Sequence, residues 1–390
     1  MKFNFDELVD RSHTDSVKLD KLKSLYGEVD LTPLWVADTD FKSPPAIIEA
    51  MKKRVEHGVF GYTTPPENYL SSIVQWLQSR HHWTVLPEQI NFVPGVVKGI
   101  AFALDVFTRE GDRVIIQPPV YHPFRLVPTA LKRNVVNNPL ILENGRYRMD
   151  LAGLREILSR QTCKLLILCN PHNPGGRVWS KEELKELAEI CSDHGVMVIS
   201  DEIHADMALP GFRHIPFASV SREAEEISLT LMAPSKTFNI AGIVSSFAVI
   251  PNKEIREQYL GYLEPRELSQ GTIFAYTATL AAYEEGAEWL EQMNEYVQGN
   301  VDFVNNYLKE HIPQIKAMLP EASFLVWLDC RALHLSQQEL VNLFVNRARL
   351  ALNDGTMFGP GGEGFMRLNV GTPRQVLEQA LNKLKNAVRG

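Results

Sequence analysis

The fold is constrained most by five short apolar runs, rich in β-branched residues, that punctuate the middle of the chain: Arg113 to Gln117, Lys164 to Cys169, Val196 to Ser200, Ser228 to Met232 and Ser245 to Ile250. Runs this short and this uniformly apolar read as strands buried on both faces. Longer segments of helical periodicity separate them, so the sequence predicts an α/β fold with a mainly parallel sheet covered by helices. One helix opens at Ser180-Lys181-Glu182-Glu183, a capping box in which hydroxyl and carboxylate each satisfy a free amide, and stops near Gly195. Ser43-Pro44-Pro45 reads as an N-cap followed by prolines in the first turn, with a helix running towards Gly58. After about Gly286 the pattern changes to a long helix, a strand at Phe324 to Leu328, an amphipathic helix, a strand at Phe365 to Val370 and a last helix. This predicts a large domain over 46–285 and a smaller α+β domain built from 1–45 and 286–390. No polar linker separates them, so they are expected to pack closely.

A length of 390 residues suits two domains, and 45% hydrophobic with 22% charged residues is ordinary for a globular protein. The net charge of −7 argues against a broad nucleic-acid-binding face, which needs clustered Lys and Arg. The longest apolar runs fall far short of the roughly 20 residues that span a bilayer. Cys163, Cys169, Cys191 and Cys330 form no C-x-x-C pair and sit in apolar surroundings, which predicts reduced core thiols. Asp6 and Glu7 stand within the first seven residues, without the apolar stretch of a secretory signal. A cytoplasmic protein is expected.

The chemistry gathers where predicted strands end, which is where open α/β sheets bind ligands. Asn170-Pro171-His172-Asn173-Pro174-Gly175-Gly176 follows the strand that ends at Cys169. Asp201-Glu202-Ile203-His204 follows the next, and Ala233-Pro234-Ser235-Lys236-Thr237-Phe238-Asn239 a third. Taken singly, these have ordinary readings: a turn, a helix cap, a structural histidine, a solvated lysine. Metal binding lacks any H-E-x-x-H or Cys/His cluster. A lysine partly desolvated at a strand end has a lowered pKa, which suits an amine that captures an aldehyde.

The Asn loop, the strand-end Asp and the lysine, in this order, resemble the aspartate-aminotransferase superfamily of fold-type I pyridoxal-phosphate enzymes along essentially the whole chain. That resemblance implies a seven-stranded, mainly parallel sheet, and pyridoxal 5′-phosphate held covalently by Lys236. Asp201 would face the protonated pyridine nitrogen, Asn173 the ring hydroxyl oxygen, and His204 would stand where relatives carry a tyrosine serving the same oxygen. Tyr121 would stack on the ring. Val96 and Val97 would offer amides to the phosphate at a helix N-terminus, and Ser235 a hydroxyl. Tyr62, within His57-Gly58-Val59-Phe60-Gly61-Tyr62, matches a residue donated from the neighbouring subunit, which implies a homodimer. Arg367, within Phe365-Met366-Arg367-Leu368-Asn369, matches the arginine that grips the substrate carboxylate, with Ala37 and Asn173 beside it. Lys236, Tyr62 and Tyr121 are the catalytic candidates.

Three further segments narrow the resemblance to the MalY/PatB-like carbon–sulfur β-lyases: Leu34-Trp35-Val36-Ala37-Asp38-Thr39-Asp40-Phe41, the run ending at Tyr62, and Ala282 to Leu290. The implied reaction cleaves L-cystathionine or a related cysteine S-conjugate to a thiol, pyruvate and ammonia. An aminotransferase acting on an L-amino acid shares the same residues and is the alternative. A regulatory protein-binding role with secondary catalysis is a second one. Many transaminases carry a serine and an arginine against the phosphate where this chain has Ala233 and Val244. Losing the Arg–phosphate pair predicts looser cofactor binding than in an aspartate aminotransferase. Exhaustive dialysis without added cofactor should therefore bleach the protein; full retention of colour would contradict this.

Overall fold

The structure, a computed structural model, describes residues 2–389. The apolar runs form a seven-stranded sheet of β1 (Ile90–Val93), β2 (Arg113–Ile116), β3 (Asn134–Asn137), β4 (Leu165–Cys169), β5 (Met197–Asp201), β6 (Ser228–Met232) and β7 (Ser246–Val249). Strands β1 and β3 do not stand out in the sequence because both are short and occupy the sheet's edges, and β3 carries asparagine at each end. The order across the sheet is β1-β7-β6-β5-β4-β2-β3. Only β7 runs antiparallel to its neighbours.

Alternation along a strand sends successive side chains to opposite faces, and β4 uses both. Leu166 and Leu168 pack with Leu184 and Leu187 of the helix Lys181–Asp193, whereas Leu165, Ile167 and Cys169 pack with Ile100 and Leu104 of the helix Val96–Phe107. Burying each such leucine or isoleucine stabilises the fold by roughly 1.5–3 kcal/mol. The capping box forms as expected: Ser180 Oγ accepts from the Glu183 amide at 3.1 Å, and Glu183 accepts from the Ser180 amide at 2.9 Å. The Ser43 expectation needs correcting. The helix is Pro45–Glu56 with Pro44 as its N-cap, and Ser43 Oγ instead donates to the Asn239 carbonyl at 3.2 Å, a tertiary contact that outcompetes the local cap.

The long helix Ala287–His311 leads to a second, antiparallel sheet of β8 (Lys316–Met318), β9 (Leu325–Asp329), β10 (Asn353–Asp354) and β11 (Phe365–Asn369), ordered β8-β9-β11-β10. Trp327 of β9 stacks on Phe365 of β11 with centroids 5.2 Å apart, and its indole nitrogen donates to the Tyr147 hydroxyl at 3.2 Å. A buried ion pair joins the two sheets' surroundings. Arg177, at the end of the Asn loop, donates to Glu321 at 2.7 Å, and Glu321 also accepts from the Val178 amide at 2.8 Å and from Arg146 at 2.7 Å. Gly176 completes the junction: its φ of 67° is the left-handed region that favours glycine, and an added Cβ would lie 2.7 Å from the Pro320 Cα. All four cysteines are buried and unpaired, as expected. Among the described residues no helix is long and apolar enough to cross a membrane.

Removing one member of a buried pair leaves the other desolvated without compensation. Glu321→Ala should lower stability by about 3 kcal/mol, read as a reduced urea midpoint. A shift no larger than that of Arg222→Ala, which breaks an exposed pair with Glu226, would show that the junction carries no such load.

Candidate functional site

The parallel strands β4, β5 and β6 end side by side, Cys169 opposite Asp201 and Asp201 opposite Leu231, so the segments that follow them share one edge of the sheet. There they line a cavity of about 330 Å³. Its walls bring together Ala37, Val96, Val97, Tyr121, Asn173, Asp201, His204, Ser235 and Lys236. A larger groove of about 670 Å³ lies between the hairpin around Asn144 and the helix Ala287–His311, and it holds none of these residues. Two candidates stand apart. Tyr62 is fully exposed and does not reach the cavity of its own chain. Arg367 lies behind the wall, where its guanidinium donates to Asn173 Oδ1 and to the Trp35 carbonyl, both at 3.0 Å.

Lys236 sits in the one-turn helix Pro234–Thr237 just after β6, and its amine donates to the Ala37 carbonyl at 2.6 Å. Burial pushes its pKa down, opposed by the charge of Asp38 and reinforced by that of Arg367. Asp201 is buried, accepts a hydrogen bond from the Ile203 amide at 3.1 Å, and makes no ion pair among the described residues. Burial therefore raises its carboxyl to about 7. His204 falls to about 3 through burial and then through the charges of Lys236 and Arg367, so its ring is neutral, and its Nδ1 is buried without a partner. Arg367, fully enclosed, is lowered to about 10 by burial and remains a cation at neutral pH.

These features suit a phosphorylated pyridine aldehyde. An uncompensated buried carboxylate is costly unless a cation meets it, and a protonated ring nitrogen is such a cation. The unpartnered His204 nitrogen offers a hydrogen-bonding group at the same wall. The helix Val96–Phe107 points its N-terminus at the cavity, capped by Gly95 at φ 113°, with free amides that suit a phosphate. Val244, where the resemblance would place an arginine, lines this end with φ 57°.

Some of the site was not legible from motifs. Cys169, read as a core thiol, stands at the cavity wall, with its sulfur donating to the Pro171 carbonyl at 3.4 Å and accepting from the Asn173 amide at 3.3 Å. Burial pushes its pKa well up. Asn239 and Asn369 hold the segment that carries Ala37, and nothing local in the sequence marks them. The only signal is that each lies within three positions of a candidate, Lys236 or Arg367.

The raised Asp201 carboxyl has a signed consequence for stability. Its folded pKa, about 7, exceeds the ordinary aspartate value of 3.8, so it favours folding at acid pH, and that contribution is lost as pH climbs from about 4 through about 7. Cofactor-free protein should lose stability over this window, and Asp201→Asn should flatten the loss in thermal melts. Identical pH profiles for the two proteins would contradict the assignment.

Residues 29–384 match the model of the family Aminotransferase class I and II. Cystathionine beta-lyase PatB of Bacillus subtilis is 45% identical over 385 residues, covering 99% of this chain and 100% of that protein. Protein MalY of Escherichia coli is 33% identical, with 99% of each covered. Among solved structures, a PLP-bound putative aminotransferase from Clostridium difficile superposes with a TM-score of 0.97 at 44% identity, covering 99% of this chain and 100% of that one. Cystalysin from Treponema denticola, which contains pyridoxal 5′-phosphate, superposes at 0.96 and 34% identity, covering 100% and 99%. The chain thus belongs to the aminotransferase class I and II family of pyridoxal-phosphate enzymes, in the branch of the PatB- and MalY-like proteins.

Proposed function

We propose that this protein is a carbon–sulfur β-lyase that cleaves L-cystathionine or a related cysteine S-conjugate to a thiol, pyruvate and ammonia. The full-length similarity to cystathionine beta-lyase PatB carries this reading, because the cavity itself serves the shared first half of several reactions. Bound here, pyridoxal phosphate would supply an electron sink for the charge left at the substrate α-carbon when its proton departs.

The chain's own residues do the rest. Lys236 would hold the cofactor through its Nζ, and the same amine, when free, would take the α-proton there; burial lowers its pKa and so favours the basic, neutral form. Arg367 grips the substrate carboxylate, for which its planar donors are suited, and so sets which α-bond faces the amine. Asp201 would keep the ring nitrogen protonated, Asn173 and neutral His204 would offer hydrogen bonds to the ring oxygen, and Tyr121 would lie against the ring. Val96, Val97 and Ser235 would hold the phosphate. Ala37 closes the substrate side. With the α-proton on Lys236, the Cβ–S bond breaks, its electron pair leaves on sulfur as a thiolate, and the released three-carbon enamine hydrolyses to pyruvate and ammonia.

Tyr62, with Val59 and Phe60, projects from an exposed stretch. We read it as reaching the cavity of a second copy, which makes a homodimer the working assembly. Aminotransfer to a keto acid is the second reading, favoured by the likeness to the putative aminotransferase from Clostridium difficile.

Incubation with L-cystathionine should yield thiol and pyruvate in equal amounts without a keto acid, and Lys236→Ala should lose at least about 10³-fold of that rate. Turnover only when a keto acid is supplied would replace the lyase with a transaminase. Full activity of Lys236→Ala would remove the mechanism.

A further inference from the structure

Residues Trp35 to Phe41 form a strap that touches both working cations. The Trp35 carbonyl accepts from Arg367 and the Ala37 carbonyl from Lys236, at 3.0 and 2.6 Å. The carbonyls on either side of Ala37, of Val36 and Asp38, both accept from the Asn369 side chain at 2.6 Å. Asn369 is fully buried at the end of β11, two residues after Arg367, and its own oxygen accepts from the Gly371 amide at 2.7 Å.

At the far end a second asparagine repeats the grip. Asn239, three residues after Lys236, donates to the carbonyls of Thr39 and Phe41 at 3.0 and 2.8 Å and accepts from the Thr39 amide at 3.1 Å. Its φ of 56° aims the amide back at the strap. The strap's outer side is fastened by charge: Asp38 and Asp40 meet Arg11 at 2.7 and 2.9 Å, and Asp40 meets the buried amine of Lys18 at 2.7 Å.

We propose that Asn239 and Asn369 are positioning residues, which lock the strap so that its Ala37 and Trp35 carbonyls set the places of the Lys236 amine and the Arg367 guanidinium. Neither asparagine touches the cavity, so each acts through the strap. The two grips are not equivalent. Asn239 holds Thr39 and Phe41, beyond Ala37, and so reaches only the lysine's end of the strap, hence proton transfer. Asn369 holds Val36 and Asp38, on either side of Ala37 and next to Trp35, and so reaches both the lysine amine and the carboxylate grip. A reacting group displaced by about 1 Å loses up to about 10²-fold in rate, so a loosened strap is felt in turnover even with every catalytic residue present.

This inference rests on Lys236 and Arg367 holding the roles proposed above, and it is indifferent to whether the product is a thiol or a transaminated acid. Three variants of the full-length holoenzyme test it: Asn239→Gly, which keeps the left-handed backbone and loses all three side-chain bonds; Asn239→Asp, which loses the two donated ones; and Asn369→Ser. Asn144→Gly, at a hairpin turn with φ 52°, is the control for glycine at such a position and keeps wild-type kinetics. Both Asn239 variants should lower kcat by about 10- to 100-fold with KM within about threefold. Asn369→Ser should lower kcat likewise and, alone of the three, raise KM by about tenfold or more.

A second readout does not use turnover. After cofactor removal, an amine reagent followed by peptide mapping should label Lys236 several-fold faster in both Asn239→Gly and Asn369→Ser than in wild type. Equal kinetics and labelling for wild type and Asn239→Gly would overturn the inference, as would parallel losses in kcat and KM for variants at both ends. Borohydride trapping of the wild-type holoenzyme separates the two levels. A label on a lysine other than Lys236 removes the underlying reading, whereas a label on Lys236 with unsplit kinetics removes only the role of the asparagines.

Discussion

The site is organised around a carboxylate placed where it cannot comfortably be ionised. Asp201 ends a central strand, buried, and among the described residues its side chain has one backbone amide as hydrogen-bond donor and no ion pair. The nearest cations of the chain are set aside for other contacts: Lys236 donates to Ala37, and Arg367 to Asn173 and Trp35. The protein therefore presents an electrostatic demand that a cationic ring satisfies, and the surrounding groups are matched to that ring. His204 is kept neutral by the same burial and by the same two cations that Asp201 does not pair with.

The central part of this arrangement was legible from the sequence because topology does the work. Parallel strands deliver their carboxyl ends to one edge, so three polar segments after three apolar runs had to meet there, and Asn173, Asp201 and Lys236 do. The fold class followed from the same alternation. Contacts between distant segments were not legible. Arg177 and Glu321 are far apart in sequence, and neither sits in a pattern that announces the other. Ser43 carries a local cap signal, yet its hydroxyl goes to Asn239, because a tertiary acceptor lay within reach. The strap's fasteners are ordinary asparagines whose meaning comes only from what lies across from them.

The branch assignment and the choice of reaction rest on different grounds. The roles proposed for Lys236, Asp201 and Arg367, to hold the ring and remove the α-proton, serve a lyase and a transaminase equally, so their geometry supports both. What separates the outcomes is the fate of the substrate's β-substituent, and whole-chain similarity to PatB speaks to that where single residues do not.

Cys169 gives this chemistry an unexpected safeguard. On the lyase reading proposed above, thiols are released into the cavity, and a reactive cysteine in the wall would be drawn into mixed disulfides with each oxidised product. Here burial and the nearby Asp201 charge both disfavour the thiolate, outweighing the Asn173 amide that donates to the sulfur, and the thiol itself donates to the Pro171 carbonyl. Exchange proceeds through thiolates. A thiol that does not ionise can stand beside a stream of departing sulfur compounds and remain chemically silent.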